Sequence, residues 1–280
     1  MTDIEQVRQF WQSHPLWSGE SAHATGTAEF FAEHRQVYID ECFGGAFDLR
    51  FLPPPRPGGQ QMAILDLGCG IGFWTVELAM RGLHGLVSAD LTEAALDLTR
   101  RRLAVYGVKA ELQLENAESL TFADGRFDHV NCQGVIHHTP DTARAVAEIA
   151  RVLRDGGTAS LSVYYRNPIL RLWPVLRWFG VVLAWLGGGL KGRGRESIFR
   201  QRDVDEIVRL YDGDANPIGK SYSRDEFRTM LERHFEVDEM YLHYFPARSL
   251  PFRIPRAVHR WLDRRLGFML YATVRKPCVA

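Results

Sequence analysis

The sequence has no excess of charge of either sign. Lys plus Arg and Asp plus Glu each number 34 among the 280 residues, so the formal net charge is zero. Proteins that bind nucleic acid usually present a basic surface to its phosphates. The charge balance therefore argues against a nucleic-acid partner, although arginine is frequent in the last quarter of the chain.

Cysteine is scarce, and its spacing shows no pairing. The four cysteines form no CxxC pair: Cys42, Cys69, Cys132 and Cys278. In a chain of this length that is not a disulfide framework, which favours a reducing compartment. The first five residues, MTDIE, have neither the basic nor the apolar stretch of a secretion signal. We therefore expect a cytoplasmic protein.

The sequence also lacks an unbroken apolar run that would span a membrane. Residues 169–190 come nearest, but they contain Arg171 and Arg177, each costing about 2.5–3.5 kcal/mol near the bilayer centre. Pro174 and a triple glycine interrupt the run further. We expect a buried or interfacial helix that covers an apolar ligand, forms a homodimer contact or touches a membrane surface.

The order of predicted strands and helices over residues 61–280 is typical of an α/β domain. Short apolar runs alternate with helix-like stretches as far as Tyr164, which predicts a mostly parallel sheet with helices on both faces. Residues 1–60 are expected to form a helical extension that ends in a proline-rich linker. A helical insertion is expected at 166–219, followed by two late strands that complete a sheet of about seven.

The strongest chemical signal is a glycine-rich turn, residues 66–72, with the sequence DLGCGIG. It lies directly between the first predicted strand and the first predicted helix, where glycines let the backbone approach a ligand closely. The spacing is GxGxG and not the GxGxxG of dinucleotide-binding proteins. Asp66 would repel phosphates but suits a cationic amino group. These features favour S-adenosylmethionine, which has such a group and no phosphate.

Two polar residues follow the next predicted strands. Asp90 ends the second strand, where a carboxylate can accept hydrogen bonds from ribose hydroxyls; the alternative is a capping acid before Thr92. Asn116 follows the third strand, where its amide can bond the edge of an adenine; the alternative is an ordinary loop residue. A helix is predicted to begin after the fourth strand, with Thr139 as N-cap and Pro140 at its first position, and to end at Leu153.

As a set, these motifs resemble class I S-adenosylmethionine-dependent methyltransferases, most closely the ubiquinone/menaquinone C-methyltransferase-like branch. The resemblance spans about residues 60–165 and includes 133–141, QGVIHHTPD, and 151–157, RVLRDGG. It implies a Rossmann-like seven-stranded sheet in the order 3-2-1-4-5-7-6 with strand 7 antiparallel. Asn116 departs from the family, which usually has Asp there. The cofactor-binding residues expected from the motifs are Asp66, Gly68, Cys69, Gly70, Gly72, Phe73, Trp74, Asp90, Leu91, Asn116, Ala117, Glu118, Gln133 and Gly134.

The reaction that the resemblance implies is an SN2 transfer of a methyl group to a small, apolar or aromatic molecule. A base is needed only where the acceptor must lose a proton; His137, His138 and Tyr164 are the candidates, with a structural role as the alternative. For the aromatic residues, packing in the core is the alternative to a role in the site. For Tyr222, the alternative is a structural role at the start of a helix. The expected acceptor-binding residues are Trp17, Tyr38, His138, Tyr164, Tyr165, Arg166 and Tyr222.

Three other readings of the sequence stay open or are disfavoured. An NAD(P)-dependent oxidoreductase is disfavoured by the glycine spacing, and a non-catalytic or repurposed module by the intact glycines and Asp90. The set His129, Cys132, His137 and His138 matches no known metal-ligand spacing, so no metal is expected. The sequence does not say whether carbon, nitrogen or oxygen is methylated.

Overall fold

The computed structural model describes residues 3–17, 19–54, 61–185, 201–247, 250 and 252–278. Within these ranges the strands form one sheet. They are β1 Ile64–Leu67, β2 Leu86–Asp90, β3 Glu111–Leu114, β4 Phe127–Gln133, β5 Leu153–Tyr165, β6 Ser221–Tyr222, β7 Glu236–His243 and β8 Met269–Arg275.

The order of the strands confirms the predicted topology. It is β3-β2-β1-β4-β5-β8-β7, and β8 runs antiparallel to both β5 and β7. The short β6 is an addition that pairs in parallel with the end of β5. β1 and β4 are buried along their whole length although both contain polar residues, whereas the edge strand β3 has no buried residue.

Helices cover the sheet. They are α1 Ile4–Ser13, α2 Ala28–Cys42, α3 Phe73–Ala79, α4 Glu93–Tyr106, α5 Thr142–Val152, α6 Pro168–Arg171, α7 Trp173–Trp185, α8 Val204–Tyr211, α9 Arg224–Leu231 and α10 Arg256–Leu266. Thr92 caps α4 through the backbone N–H of Ala95, and Gly107 ends that helix in the left-handed conformation. The capping box predicted at Ser223 and Glu226 is also present.

The predicted start of α5 is wrong. Asp141, not Thr139, is the N-cap, and it accepts a hydrogen bond from the backbone N–H of Arg144 at 3.0 Å. Thr139 is engaged elsewhere, because its hydroxyl donates to the carbonyl of Ile136 at 2.9 Å. A 3-10 turn over Ile136–His138 therefore precedes the helix and carries both histidines to the carboxyl edge of the sheet.

Two elements were not predicted at all. β6 is only two residues long, too short for any periodic pattern to indicate it. α10 carries Arg256, Arg260, Arg264 and Arg265 among its 11 residues, and these charges hide its apolar spacing. The predicted insertion holds α6, α7 and α8.

The apolar segment at 169–190 falls largely on α6 and α7, and its last five residues lie outside the described ranges. Leu172, Val175 and Trp178 are exposed on it. No helix in the described parts of the chain is both long and apolar enough to cross a bilayer. Residues 55–60 of the predicted linker are likewise outside the described ranges.

The N-terminal extension packs against the glycine turn and α4. Phe30 and Phe31 of α2 form an apolar cluster with Ile71 and Leu98. The fully buried Arg102 of α4 donates to the carbonyl of Phe31 at 3.4 Å and to that of Ile71 at 3.5 Å. α1 lies against α4, where Gln12 accepts from the N–H of Ala94 at 3.3 Å. Both N-terminal helices are thus held beside the edge where the site forms.

The buried His243 connects β7 with the N-terminal extension and with α10. Nδ1 of His243 in β7 lies 2.5 Å from Asp263 of α10, and its Nε2 lies 2.8 Å from Asp48. Burial alone would lower the pKa of His243, but its bonds to the two carboxylates raise it above the ordinary value. Burial would raise the pKa of Asp48, but His243 and Arg50 hold it well below its usual range. His243 is therefore a charged link between sheet, extension and C-terminal helix.

Candidate active site

Two cavities meet at the carboxyl edge of the sheet, under α1 and the turn that follows it. The first, the glycine-turn cavity, encloses about 850 Å³ counted to its open mouth. The second, the aromatic cavity, encloses about 1290 Å³ counted in the same way. Both are large enough for a small-molecule ligand. Their shared lining residues are Trp11, Pro15, Leu16, Gln133, Gly134 and His138.

The glycine turn forms the floor of the glycine-turn cavity, and hydrogen bonds to β2 hold its backbone in place. The N–H groups of Gly68 and Cys69 donate to the carbonyl of Ala89 at 2.7 and 3.0 Å. Gly68 has φ +70°, and a Cβ there would lie 2.2 Å from a methyl carbon of Val135. Only glycine fits this position, so the sequence of the turn sets the shape of the cavity.

Asp90 stands at the end of β2 and lines the same cavity. One carboxylate oxygen accepts from the N–H of Gly70 at 3.0 Å; the other accepts from the N–H and the hydroxyl of Thr92, both at 3.0 Å. Burial raises the pKa of Asp90, while these bonds act in the opposite direction. Asp90 therefore fixes the glycine turn and lines the cavity with a carboxylate, a group that accepts hydrogen bonds.

The wall opposite Asp90 is formed by the loop after β3. Asn116 and Ala117 line the cavity as predicted, and Glu115, which the sequence did not single out, lines it with them. Glu118 does not line it, because its side chain turns to accept from the N–H of Asp141 at 2.6 Å. None of the described lining residues is Lys or Arg. The carboxylate of Glu115 accepts from the N–H of Thr121 and the amide of Gln113, both at 2.9 Å. A lining with the carboxylate of Asp90 and no described cation suits the hydroxyls of a ribose and disfavours a pyrophosphate.

Asp66 lies beneath the glycine turn and is only 1% exposed. It accepts from the hydroxyl of Thr75 at 2.6 Å and from the amide of Asn131 at 2.8 Å. Burial raises its pKa to about 6. Its side chain lines neither cavity, and its contact with a ligand amino group stays a prediction.

Four other predicted cofactor residues support the turn from behind and line neither cavity. Cys69 is buried against the hydroxyl of Thr99 at 3.5 Å, and Gly72 is the left-handed N-cap of α3. Phe73 and Trp74 pack into an apolar cluster with residues of the N-terminal extension. Leu91 and Gly134 do line the glycine-turn cavity.

Aromatic rings and acids line the second cavity. The residues concerned are Trp11, Trp17, Glu20, Tyr38, Glu41, Tyr164, Tyr211, Asp212, Tyr244 and Tyr271, with His14, His34, His137 and His138 beside them. Trp17 and Tyr244 are the two non-glycine residues with positive φ in the described chain, at 68° and 69°. Strained backbone of this kind concentrates at functional sites.

His138 and Asp212 form a polar pair at the junction of the cavities. Nδ1 of His138 is 2.9 Å from the carbonyl of Ile218, so Nδ1 carries the proton and Nε2 is the basic nitrogen. That Nε2 lies 3.5 Å from Asp212. Tyr164 donates its hydroxyl to the same carboxylate at 2.9 and 3.1 Å. The sequence indicated His138 and Tyr164, but no motif pointed to Asp212, which follows α8 in the insertion.

Three predicted acceptor residues lie outside both cavities. Tyr165 belongs to the main core, since successive residues of β5 point to opposite faces and Tyr164 takes the cavity side. Arg166 pairs with Glu226 at 3.3 Å and donates to the carbonyl of Ser221 at 2.8 Å. Tyr222 donates to the hydroxyl of Thr142 at 2.8 Å and packs on Phe227.

Family comparison agrees with the architecture. The model of a methyltransferase domain family matches residues 65–161, which hold β1 to β5, the glycine turn, Asp90 and both histidines. Those residues match a methyltransferase domain family, and the strand order is the one expected for the class I methyltransferase fold.

Individual relatives are similar over the same part of the chain. A ubiquinone biosynthesis O-methyltransferase of Hahella chejuensis is 32% identical over 173 residues, 59% of this chain and 63% of that protein. One from Thiobacillus denitrificans is 39% identical over 106 residues, 37% of this chain and 45% of that protein. The chain thus spans less than two thirds of either relative.

Solved structures show the same fold at low identity. An S-adenosylmethionine-dependent methyltransferase of Methanosarcina mazei has a TM-score of 0.54 at 21% identity, covering 82% of this chain and 96% of its own. The cyclase SpnF has a TM-score of 0.50 at 14% identity, covering 99% and 94%. Since one of the two is named as a cyclase, the fold alone does not decide the reaction.

Replacing Asp90 with alanine is expected to weaken S-adenosylhomocysteine binding at least tenfold. The reason is the loss of charge-assisted hydrogen bonds, worth about 1.5 kcal/mol or more, together with the brace on the glycine turn. Calorimetric titration measures the change. Asp97→Ala, which removes an exposed carboxylate of α4 paired with Arg100, is the control and should leave the affinity unchanged. Equal affinities for both variants would remove Asp90 from the site.

Proposed function

We propose that this chain transfers the methyl group of S-adenosylmethionine to a small molecule held in the aromatic cavity. The observation that carries the proposal is the junction of the two cavities at Gln133, Gly134 and His138. A nucleoside in the first cavity and an acceptor in the second would meet there. The relatives named for ubiquinone biosynthesis also act on a small molecule, to judge by their names.

The glycine-turn cavity fits the nucleoside part of the cofactor. Asp90 offers a carboxylate for ribose hydroxyls, while Leu91 and Ala117 offer apolar walls for a base. The buried Oε1 of Gln133 has no hydrogen-bond partner in the described structure, although its Nε2 donates to Asn131 and Ser160. An amino group at the junction would satisfy it.

S-adenosylmethionine supplies an electrophilic methyl group on a positively charged sulfur. The chain has to bind and orient the two reactants and keep water away. α1 does the last of these, since Ile4, Val7 and Trp11 cover the glycine-turn cavity. Nε2 of His138, with Asp212 beside it, is placed to take a proton from the acceptor.

The deciding experiment is calorimetric titration of the full chain with S-adenosylmethionine, S-adenosylhomocysteine and NAD. We expect micromolar binding of the two sulfur nucleosides and none of NAD, because the described lining offers no cation for a pyrophosphate. NAD binding alone would overturn the proposal. Binding of the sulfur nucleosides should then be followed by an acceptor screen that measures S-adenosylhomocysteine formation. A cofactor complex that turned over no acceptor would favour a repurposed module.

A further inference from the structure

The charged side chains that line the aromatic cavity have one sign. Glu20, Glu41 and Asp212 are carboxylic acids, and no described lining residue is Lys or Arg. Two of the lining histidines, His34 and His137, do not offset this, because burial lowers the pKa of each well below the usual value. An acceptor with a carboxylate or phosphate would lose its hydration here without gaining a cationic partner. The cavity therefore selects against anions.

Two buried side-chain atoms of the cavity lining are hydrogen-bond acceptors. His137 is only 1% exposed, and its Nδ1 has no hydrogen-bond partner in the described structure. A hydrogen bond to the backbone of Ser162 favours the proton on the other ring nitrogen, which leaves Nδ1 with a lone pair. The buried Oε1 of Gln133 is a second acceptor without a partner. The amino group of the cofactor can satisfy Oε1 of Gln133, and a donor on the methyl acceptor is needed to satisfy Nδ1 of His137.

The pair of His138 and Asp212 at the junction of the cavities also requires a ligand with hydrogen-bond donors. Because Nδ1 of His138 is bonded to Ile218, its Nε2 and the Asp212 carboxylate, 3.5 Å apart, are both hydrogen-bond acceptors. A group that donates to both would bridge them. Around the pair stand Tyr164, Tyr211 and Tyr244, whose ring faces attract cations.

We infer that the methyl acceptor is an amine that enters as a cation, with an aromatic or apolar body, and that its nitrogen receives the methyl group. This deepens the function proposed above and rests on it. An ammonium group offers several N–H donors for these acceptors and a positive charge, which no Lys or Arg of the described lining supplies. A phenol or alcohol offers a single donor and no charge, and an acid offers the wrong charge.

The step balances without a further reactant. The ammonium gives one proton to Nε2 of His138, which frees the nitrogen lone pair. The lone pair forms the new nitrogen–carbon bond while the carbon–sulfur bond breaks, and the sulfur keeps that electron pair. The products are the methylated ammonium and S-adenosylhomocysteine, and the proton on His138 passes to solvent.

The test compares three probes that differ only in their terminal group: 3-phenylpropylamine, 3-phenylpropan-1-ol and 4-phenylbutanoate. Each is titrated calorimetrically into the full chain saturated with S-adenosylhomocysteine. We expect the amine to bind at least tenfold more tightly than the alcohol, and the carboxylate not to bind. Equal or tighter binding of the alcohol or the carboxylate overturns the inference, and so does an amine that fails to bind at millimolar concentration. Failure of S-adenosylhomocysteine to bind at the outset would instead refute the proposed function.

A pair of variants tests whether the negative charge of Asp212, and not its shape, determines how tightly the amine binds. Asp212→Asn keeps an oxygen that can accept from Tyr164 but removes the negative charge. It should weaken binding of the amine at least fivefold, change that of the alcohol less than twofold and leave S-adenosylhomocysteine affinity unchanged. The matched control is Asp238→Asn, which neutralises a carboxylate of β7 paired with Arg275 at 3.5 Å outside both cavities. Equal effects of the two variants on the amine would contradict the inference.

Discussion

Replacing Gly68 with alanine is expected to destabilise the fold by about 2–4 kcal/mol and to abolish measurable S-adenosylhomocysteine binding. The added Cβ would lie 2.2 Å from Val135 at a residue whose φ is +70°, so overpacking and backbone strain add together. The backbone that must shift is the floor of the glycine-turn cavity. Urea denaturation measures the first effect and calorimetric titration the second.

Gly82→Ala provides the matched control for this prediction. Gly82 has φ +82°, but a Cβ there would meet nothing within 4 Å. Only the cost of the left-handed conformation remains, about 1 kcal/mol, with unchanged binding. If the two variants lost equal stability, the close approach of Gly68 to Val135 would have no energetic consequence, and the shape of the floor would need another explanation.

Replacing His243 with phenylalanine is expected to cost about 3–5 kcal/mol of folding free energy. The change keeps a buried ring but leaves the carboxylates of Asp48 and Asp263 without the positive charge between them. The control is His234→Phe at an exposed position, which should change stability by no more than about 0.5 kcal/mol. A loss below about 1 kcal/mol for His243→Phe would show that the three segments are held by other contacts.

The same cluster predicts how stability depends on pH. The pKa of His243 is raised on folding, so its contribution is complete below about pH 6.5 and is lost as the pH rises through the folded-state value. The pKa of Asp48 is lowered, so its contribution is complete above about pH 4 and is lost at lower pH. Denaturation midpoints should therefore be highest between these limits. His243→Phe should remove the decline on the alkaline side; a decline of the same size in both proteins would contradict this assignment.

The sequence was sufficient for the sheet because its signals are local. β1 begins within a continuous apolar run at 62–65, and the glycine turn, Thr92 and Gly107 mark where strands and helices begin and end. The error at α5 arose where two capping residues compete. Thr139 and Asp141 both suit an N-cap, and the choice depends on Thr139 bonding back to Ile136, a detail of the preceding turn that no pattern shows.

Prediction of the site was less complete, because a cavity is lined by residues that are distant in sequence. Asp90, Asn116 and His138 follow strands of the sheet and could be predicted from position alone. Trp11, Glu41 and Asp212 come from α1, α2 and the loop after α8, and only packing brings them to the cavities. Phe73 and Trp74 show the converse, since they are neighbours of the glycine turn in sequence yet point into an apolar cluster.

α1 has a thermodynamic consequence that follows from its place over both cavities. Trp11 lines each of them and lies with its ring 5.3 Å from that of His138. Any ligand that fixes α1 in place lowers the ordering cost for a second ligand under the same helix. Linkage then requires reciprocity: the factor by which the nucleoside tightens the acceptor equals the factor by which the acceptor tightens the nucleoside. The two halves of the site are therefore thermodynamically coupled through α1, in addition to sharing Gln133 at the end of β4.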